Sequence, residues 1–374
     1  MRNRRLDILR CVAVTVVIIH HGGISILFTR MGWAGVDLFF VLSGFLISGL
    51  LFSEYKKRHA ISFKRFFIRR GFKIYPAFYA FLFLTGAAGY LVYHTHAPLS
   101  HYLHDIFFLM SYQRGVWDHT WSLGVEEHFY IFLPLFLLLL VRLSSNRQNP
   151  FRILPWATIA IGILCIIFRA ISVDFGQPNF LMAYIASHNR MDALFFGVLL
   201  GYFYHFRSAA LERLMRPAKS RAAIAVTSAI LISFAYLPPL QNGSKFLATI
   251  GYTFIYLGFG GVLLLTLYVH GVLPKSIAWA ANKIGSAFAF AGVYSYSIYL
   301  WHAPAGVWFP GLLRRAVHFP NSRIGNFVTY FIASFVIGII MSRLIEYPLL
   351  HLRDRLFPQP LVVAVAPEVE SAKP

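Results

Sequence analysis

Leu9-Arg10-Cys11-Val12-Ala13-Val14-Thr15-Val16-Val17-Ile18-Ile19-His20-His21 is the first apolar stretch of the chain, and it holds an arginine and a histidine pair. An ionisable group inside a membrane-spanning helix costs about 2.5–3.5 kcal/mol on insertion scales unless paired or solvated, so by default it marks a functional site. Arg10 and His21 are eleven positions apart. At roughly 100° per residue that leaves them about 20° from a common face and about 16 Å apart along the axis. His20 points about 100° away from His21. The stretch therefore predicts one helix with a cation near its start and a titratable base three turns deeper, facing the same way.

The rest of the chain has the composition of a polytopic membrane protein. Hydrophobic residues make up 58% of it and charged residues 13%, with a mean hydropathy of +0.62, so several runs approach the roughly 20 apolar residues that cross a bilayer. Ten helical spans are expected, near residues 8–28, 33–53, 74–94, 121–142, 153–172, 189–206, 222–240, 246–270, 286–307 and 326–349. The expected fold class is all-α. The membrane domain is read as residues 1–352, with 353–374 a disordered cytoplasmic tail rich in Pro, Val, Ala and Glu. No internal repeat of the inverted-transporter kind stands out.

The net charge of +20 invites a nucleic-acid reading, which the position of the charges excludes. With the N-terminus in the cytoplasm, about 24 Lys and Arg fall inside, about 7 outside and about 3 within spans, as the positive-inside rule requires. Both termini are then cytoplasmic and the protein is multi-pass in the inner (plasma) membrane. Cys11 and Cys165 fall in different spans and read as buried thiols, not a disulfide framework. The N-terminal Met1-Arg2-Asn3-Arg4-Arg5 lacks a following small-residue cleavage site and reads as the flank of a retained span.

Two loops stand out. The segment Glu54–Lys73 is the longest basic one, and from Ser62 on it reads as an amphipathic interfacial helix with Phe63, Phe66, Phe67 and Phe72 toward the headgroups. The outer loop 95–118 carries His96, His101 and His104 among aromatics and is long enough for a short lid-like element. Its histidine spacing fits no tetrahedral site, so no metal is expected. Gly-rich phosphate loops and Gly-x-Ser-x-Gly are absent from the sequence.

The motifs that carry chemistry lie in or beside the spans. Asp37 in Gly35-Val36-Asp37-Leu38-Phe39-Phe40 is an intramembrane carboxylate near His21, suited to orienting the imidazole or to capping its own helix. In Trp121-Ser122-Leu123-Gly124-Val125-Glu126-Glu127-His128-Phe129-Tyr130 the two adjacent carboxylates diverge by about 100°. Arg190 and Asp192 are placed to pair with each other. His302 follows Tyr299-Leu300-Trp301, and Glu346 precedes Tyr347-Pro348.

Taken in this order, these stretches resemble the acyltransferase-3 family of integral membrane acyltransferases, which includes bacterial O-acetyltransferases of surface polysaccharides, lipopolysaccharide and peptidoglycan. The similarity runs from about Arg5 to Leu352. The family's arginine–ten residues–histidine signature falls on Arg10 and His21. Its basic pair before Ile-x-Pro falls on Arg70 and Lys73, before Ile74-Tyr75-Pro76, where lysine keeps the charge but loses the bidentate fork of arginine. His128 stands where glutamine is more usual.

The resemblance implies transfer of an acyl group, usually acetyl, from cytoplasmic acetyl-CoA to an acceptor at or beyond the outer leaflet. On this reading His21, Asp37, Glu126 and Glu127 are the catalytic candidates, and Arg10, Arg70 and Lys73 bind the donor. Trp121, Ser122, Tyr130, Arg190, Asp192, His302 and Glu346 face substrate. Either Asp37 or Glu127 would orient His21. The partners are membrane lipid, the acyl-CoA, a glycan or lipid-linked sugar and a separate periplasmic protein. The competing readings are a non-catalytic glycan exporter and an acyltransferase for a small glycoside.

Overall fold

A computed structural model of the protein describes residues 3–24, 26–174, 180–237, 244–269, 275–317 and 322–358, which are largely helical and contain no β-strand. The first helices are α1 (Arg4–Gly22), α2 (Ile26–Met31), α3 (Gly35–Arg58), α4 (Phe63–Val92), α5 (Leu99–Ile106) and α6 (Trp121–Leu143). Next come α7 (Leu154–Asp174), α8 (Phe180–Ile185), α9 (Ser187–Phe206), α10 (Ser208–Met215), α11 (Ala218–Ser233) and α12 (Tyr252–Tyr268). The last four are α13 (Lys275–Val293), α14 (Ser295–Val317), α15 (Arg323–Met341) and α16 (Tyr347–Leu356). Helices close their own hydrogen bonds, which is the condition for placing backbone in hydrocarbon.

Each of the ten stretches expected to span is mostly helical over its described residues. Among the described residues, however, only seven are both long and apolar enough to cross a membrane, or eight with the bent pair Phe180–Phe206 and Ser208–Met215 taken as one. The shortfall has identifiable causes. Arg4, Arg5, Asp7 and Arg10 crowd the start of α1. The expected span 286–307 is split at Tyr294 into α13 and α14, and α14 carries Ser295, Ser297 and His302.

The separate interfacial helix expected from Ser62 is also corrected. Ser62 caps a single helix, accepting from the Arg65 backbone N–H at 3.3 Å, and α4 continues through Pro76 to Val92. At 30 residues it is about 45 Å long. That exceeds the ~30 Å hydrocarbon core, so its basic first turns project beyond the apolar zone. At the other end of the chain, residues 353–356 belong to α16 and not to a disordered tail, while residues 359–374 lie outside the described residues.

Close backbone approach organises the core. Gly44 and Ser48 on α3 face Gly197 and Gly201 on α9, a small-residue crossing of the type that packs helices without hydrophobic drive from lipid. A Cβ on Gly44 would run into the Leu194 carbonyl, and one on Gly197 into the Val41 carbonyl. The same crossing brings Arg190 of α9 to Asp37 of α3, Nη2 to Oδ1 at 2.6 Å, with both side chains at most 1% exposed. A second pair, Arg169 of α7 to Asp192 of α9 at 2.9 Å, ties the next helix to the same post.

Overpacking costs about 1–3 kcal/mol. Gly197→Leu is therefore expected to lower the unfolding midpoint of the detergent-solubilised protein by about 5 °C or more. Gly162→Ala should leave it unchanged, because the new Cβ there meets only the Tyr256 hydroxyl, at 3.8 Å. Equal midpoints for the two variants would refute the close crossing.

Candidate active site

A cavity of about 1210 Å³ opens between α3, α4, α6 and α14. Its lining holds nine Lys and Arg against two carboxylates, Glu54 and Glu126, so the cavity carries a strong positive field. Lys57, Arg58, Lys64, Arg65 and Arg69 gather where α3 hands over to α4. Deeper, the walls become apolar with Leu46, Ile47, Leu51 and Ile74, and the lining also includes Ser122 and Tyr299. A second cavity of about 520 Å³ shares Arg10, Leu46, Lys73 and Arg353 with the first.

The wall residues form two separate networks. Arg70 donates to the Tyr130 hydroxyl, its guanidinium lies 4.1 Å from the Tyr130 ring centroid, and its Nη2 is 3.9 Å from Glu126 Oε2. Tyr130 donates in turn to Glu126 at 2.6 Å, and Ser43 donates to the other Glu126 oxygen at 2.6 Å. Glu127 turns the opposite way, accepting from the Tyr75 hydroxyl at 3.1 Å, so the adjacent carboxylates do diverge. In the second network Lys73 donates to Glu346, which also accepts from Ser297 and Ser342 at 3.0 Å each. The Lys73 cation is therefore already neutralised by a carboxylate, whereas the cavity mouth keeps its excess charge.

Beyond the Ser122–Tyr299 wall lies a layer of imidazoles. The Tyr299 hydroxyl donates to the His119 carbonyl at 2.7 Å, and its oxygen lies 2.7 Å from Ser122 Oγ. The His302 ring is 5.4 Å from that of Tyr299, 4.7 Å from His119 and 5.0 Å from His21. His302 and His119 are buried, while His21 is exposed and also touches His20 at 5.0 Å. Arg10 lines both cavities, with its guanidinium 3.9 Å from Asp7, but His21 lines neither. The helix thus carries its two marked residues on opposite sides of the imidazole layer.

Two expected pairings are corrected. Neither Asp37 nor Glu127 orients His21, whose Nδ1 lies 2.9 Å from the Val17 carbonyl one turn back. Asp37 is held by Arg190 instead. Arg190 and Asp192 do not pair with each other, because two positions on a helix diverge by about 200° and each finds a partner on a different neighbour. Trp121 does not line the cavity. It stands 5.9 Å from the Arg190 guanidinium in an aromatic box completed by Tyr252 at 4.6 Å, Tyr184 at 5.3 Å and Phe40 at 5.7 Å. Sequence reasoning missed Arg169 and His119. A cation inside the apolar run Leu154–Asp174 was the available signal for Arg169; none marked His119.

The long outer loop holds the imidazole layer in place through a buried carboxylate. Asp105 of α5 accepts from the Val116 N–H at 2.7 Å and from the Thr120 hydroxyl at 3.3 Å, next to His119. Among the described residues no group of three or more His, Cys, Asp or Glu is arranged to hold a metal ion. Both cysteines are free and buried.

This geometry, a basic cavity sunk into a helical membrane core, agrees with what the sequence comparisons find. Residues 3–343 match the family model described as an acyltransferase domain, and the chain belongs to that acyltransferase family. The peptidoglycan O-acetyltransferase OatA of Listeria monocytogenes is 26% identical over 370 residues, 92% of this chain and 55% of its own length. A Staphylococcus aureus protein provisionally named an O-acetyltransferase is 29% identical over 318 residues, 79% of this chain and 49% of its own. The chain thus spans about half the length of these curated relatives. No solved structure matches it.

Burial raises the Asp105 carboxyl to about 6, against the opposing pull of its bonds from Val116 and Thr120. The folded state therefore holds the proton more tightly than the unfolded chain. Stability from this group is full below about pH 4 and is lost as pH rises through about 6. The unfolding midpoint of the wild type relative to Asp105→Asn is expected to fall across that interval. A flat difference between the two midpoints would show that the carboxyl titrates normally.

Proposed function

We propose that the protein is a membrane O-acyltransferase that moves an acyl group, acetyl, from cytoplasmic acetyl-CoA to a hydroxyl of a glycan or glycolipid beyond the other face of the membrane. The observation that carries this is the basic cavity ending one layer of side chains short of an exposed histidine. Coenzyme A is a polyanion at its nucleotide end and a thin, weakly polar arm at its thiol end. The cavity has the matching gradient, cationic at the mouth and apolar toward Ser122 and Tyr299. Its volume exceeds the roughly 300–1,000 Å³ of ordinary small-molecule pockets. The positive-inside rule supports a cytoplasmic mouth.

His21 is then the general base. Its Nδ1 proton is committed to the Val17 carbonyl, which can only accept, so Nε2 presents a lone pair to an alcohol arriving from outside. For the alcohol oxygen to attack, the thioester end passes the Ser122–Tyr299 wall to reach His21. The C–O bond forms, the C–S bond breaks, and the proton taken up by His21 goes to the departing sulfur, so coenzyme A leaves as the thiol. The Arg70–Tyr130–Glu126 network holds one cavity wall, and the Asp37–Arg190 pair holds the helix that carries Ser43 into it. OatA is named for peptidoglycan, and a peptidoglycan-like polysaccharide is the first acceptor class to test.

Purified protein in detergent or nanodiscs is expected to release free thiol from acetyl-CoA when glycan acceptor is added, and His21→Ala to slow transfer by about 10²-fold or more. Acetyl-CoA should still bind that variant, since His21 lies outside the cavity. Arg65→Ala should raise the KM for acetyl-CoA severalfold and leave kcat nearly unchanged. Glycan movement without thiol release would identify an exporter instead.

A further inference from the structure

In the reaction just proposed, the alcohol reaches His21 at the outer end of α1, where arginines from three other helices gather. We infer that Arg30, Arg315 and Arg323 form an anion-binding rim beside His21, and that the acceptor is a glycan bearing carboxylates. The inference rests on the transfer reaction proposed above and names the substrate class that its outer face recognises.

Direct contacts tie the rim to the end of α1. Gly23, whose φ of +60° ends the helix two residues after His21, accepts from Arg323, which donates through Nε at 3.0 Å and through Nη2. His20 Nδ1 lies 2.5 Å from the Thr29 carbonyl, and that contact brings Arg30 of α2 to the same helix end. Asn326, one turn after Arg323, accepts from Arg314 of α14 at 3.4 Å, and Arg315 follows it in the chain. Arg30, Arg315 and Arg323 are exposed, as His21 is.

The protein does not neutralise this charge itself. The sequence has no Asp or Glu at 8–36 or at 303–345, and among the described residues no carboxylate pairs with Arg30, Arg315 or Arg323. Other cations expected on the outer side do come with one: Arg114 meets Asp118 at 3.3 Å, and Lys245 meets Asp174 at 2.5 Å. The C-terminus of a helix offsets only about half a charge, and of the three arginines it is Arg323 that touches it. The positive-inside rule depletes translocated loops of Lys and Arg, so uncompensated arginines there call for a ligand. Lipid phosphates lie over every helix end, whereas these arginines gather at the one that carries the proposed base, which favours the acceptor. A guanidinium binds a carboxylate through two parallel N–H bonds, a geometry that suits a charged sugar or peptide substituent beside the reacting hydroxyl.

The test uses the full-length protein in phosphatidylcholine nanodiscs with saturating acetyl-CoA. Its acceptors are a peptidoglycan fragment with free stem-peptide carboxylates and the same fragment converted to primary amides. Wild type is expected to show about tenfold higher kcat/KM for the free-carboxylate fragment, carried by KM. Raising salt from about 20 to about 200 mM should remove most of that preference. Arg315→Glu and Arg30→Ala should each reduce it about three- to fivefold, with a smaller effect on the amidated fragment and no change in the unfolding midpoint, and Arg315→Lys should retain it. Independently of activity, labelled free-carboxylate fragment should bind His21→Ala protein more tightly than the amide does, and adding Arg315→Glu should narrow that difference. An inert wild type would refute the transfer reaction, and the binding measurement would still decide the rim. Equal binding and equal kcat/KM for the two fragments, or a preference that survives Arg315→Glu combined with Arg30→Ala, would overturn the rim alone. So would losses seen only in phosphatidylglycerol nanodiscs and falling equally on both fragments, which would assign the arginines to lipid headgroups.

Discussion

An aspartate and an arginine that meet at 2.6 Å in the helical core, Asp37 on α3 and Arg190 on α9, are the constraint on which the rest of the structure depends. Burying either charge alone would cost several kcal/mol, so neither helix holds its position without the other. The close crossing at Gly44 and Gly197 brings the pair within reach, and the Arg169–Asp192 pair adds α7 to the same post. The aromatic box of Trp121, Tyr184, Tyr252 and Phe40 surrounds the guanidinium with ring faces and keeps lipid and water away from it. One consequence is chemical. With Asp37 committed to Arg190, the imidazole of His21 has a main-chain carbonyl for its partner where a carboxylate would ordinarily stand.

The cavity owes its character to the continuity of α4. Because Phe63–Val92 is a single helix longer than the hydrocarbon is thick, its first turns present Lys64, Arg65 and Arg69 at the cavity mouth while Ile74 lines the apolar depth. The charge gradient that suits a polyanion with a thin arm is thus written along one rigid element. Glu346 compensates Lys73 within that gradient, at a carboxylate that is 1% exposed, whereas Arg65 and Arg69 at the mouth meet the more exposed carboxylates Glu54 and Asp354. The Ser122–Tyr299 hydrogen bond then closes the cavity against the imidazole layer.

The membrane class, the all-helical architecture and the family were legible in the sequence, because they depend on runs of apolar residues and on local motifs. So was the divergence of Glu126 and Glu127, which follows from helical angle alone. Span counting was less secure, since charges at the start of α1 and polar residues in α14 blur the apolar signal that defines a span. The sequence alone determined which residue types stand at which helical positions: a cation and an imidazole on one face of α1, carboxylates and an arginine inside spans.

Only the tertiary structure decided who pairs with whom. Asp37 with Arg190, Arg169 with Asp192 and His21 with His302 and His119 join residues on different helices, and no local periodicity encodes the order in which helices pack around one another. A buried charge declares in the sequence that a partner must exist, because the energetic cost of lacking one is large. Which partner meets it is fixed by how closely two backbones approach, and that distance is a property of the assembled bundle.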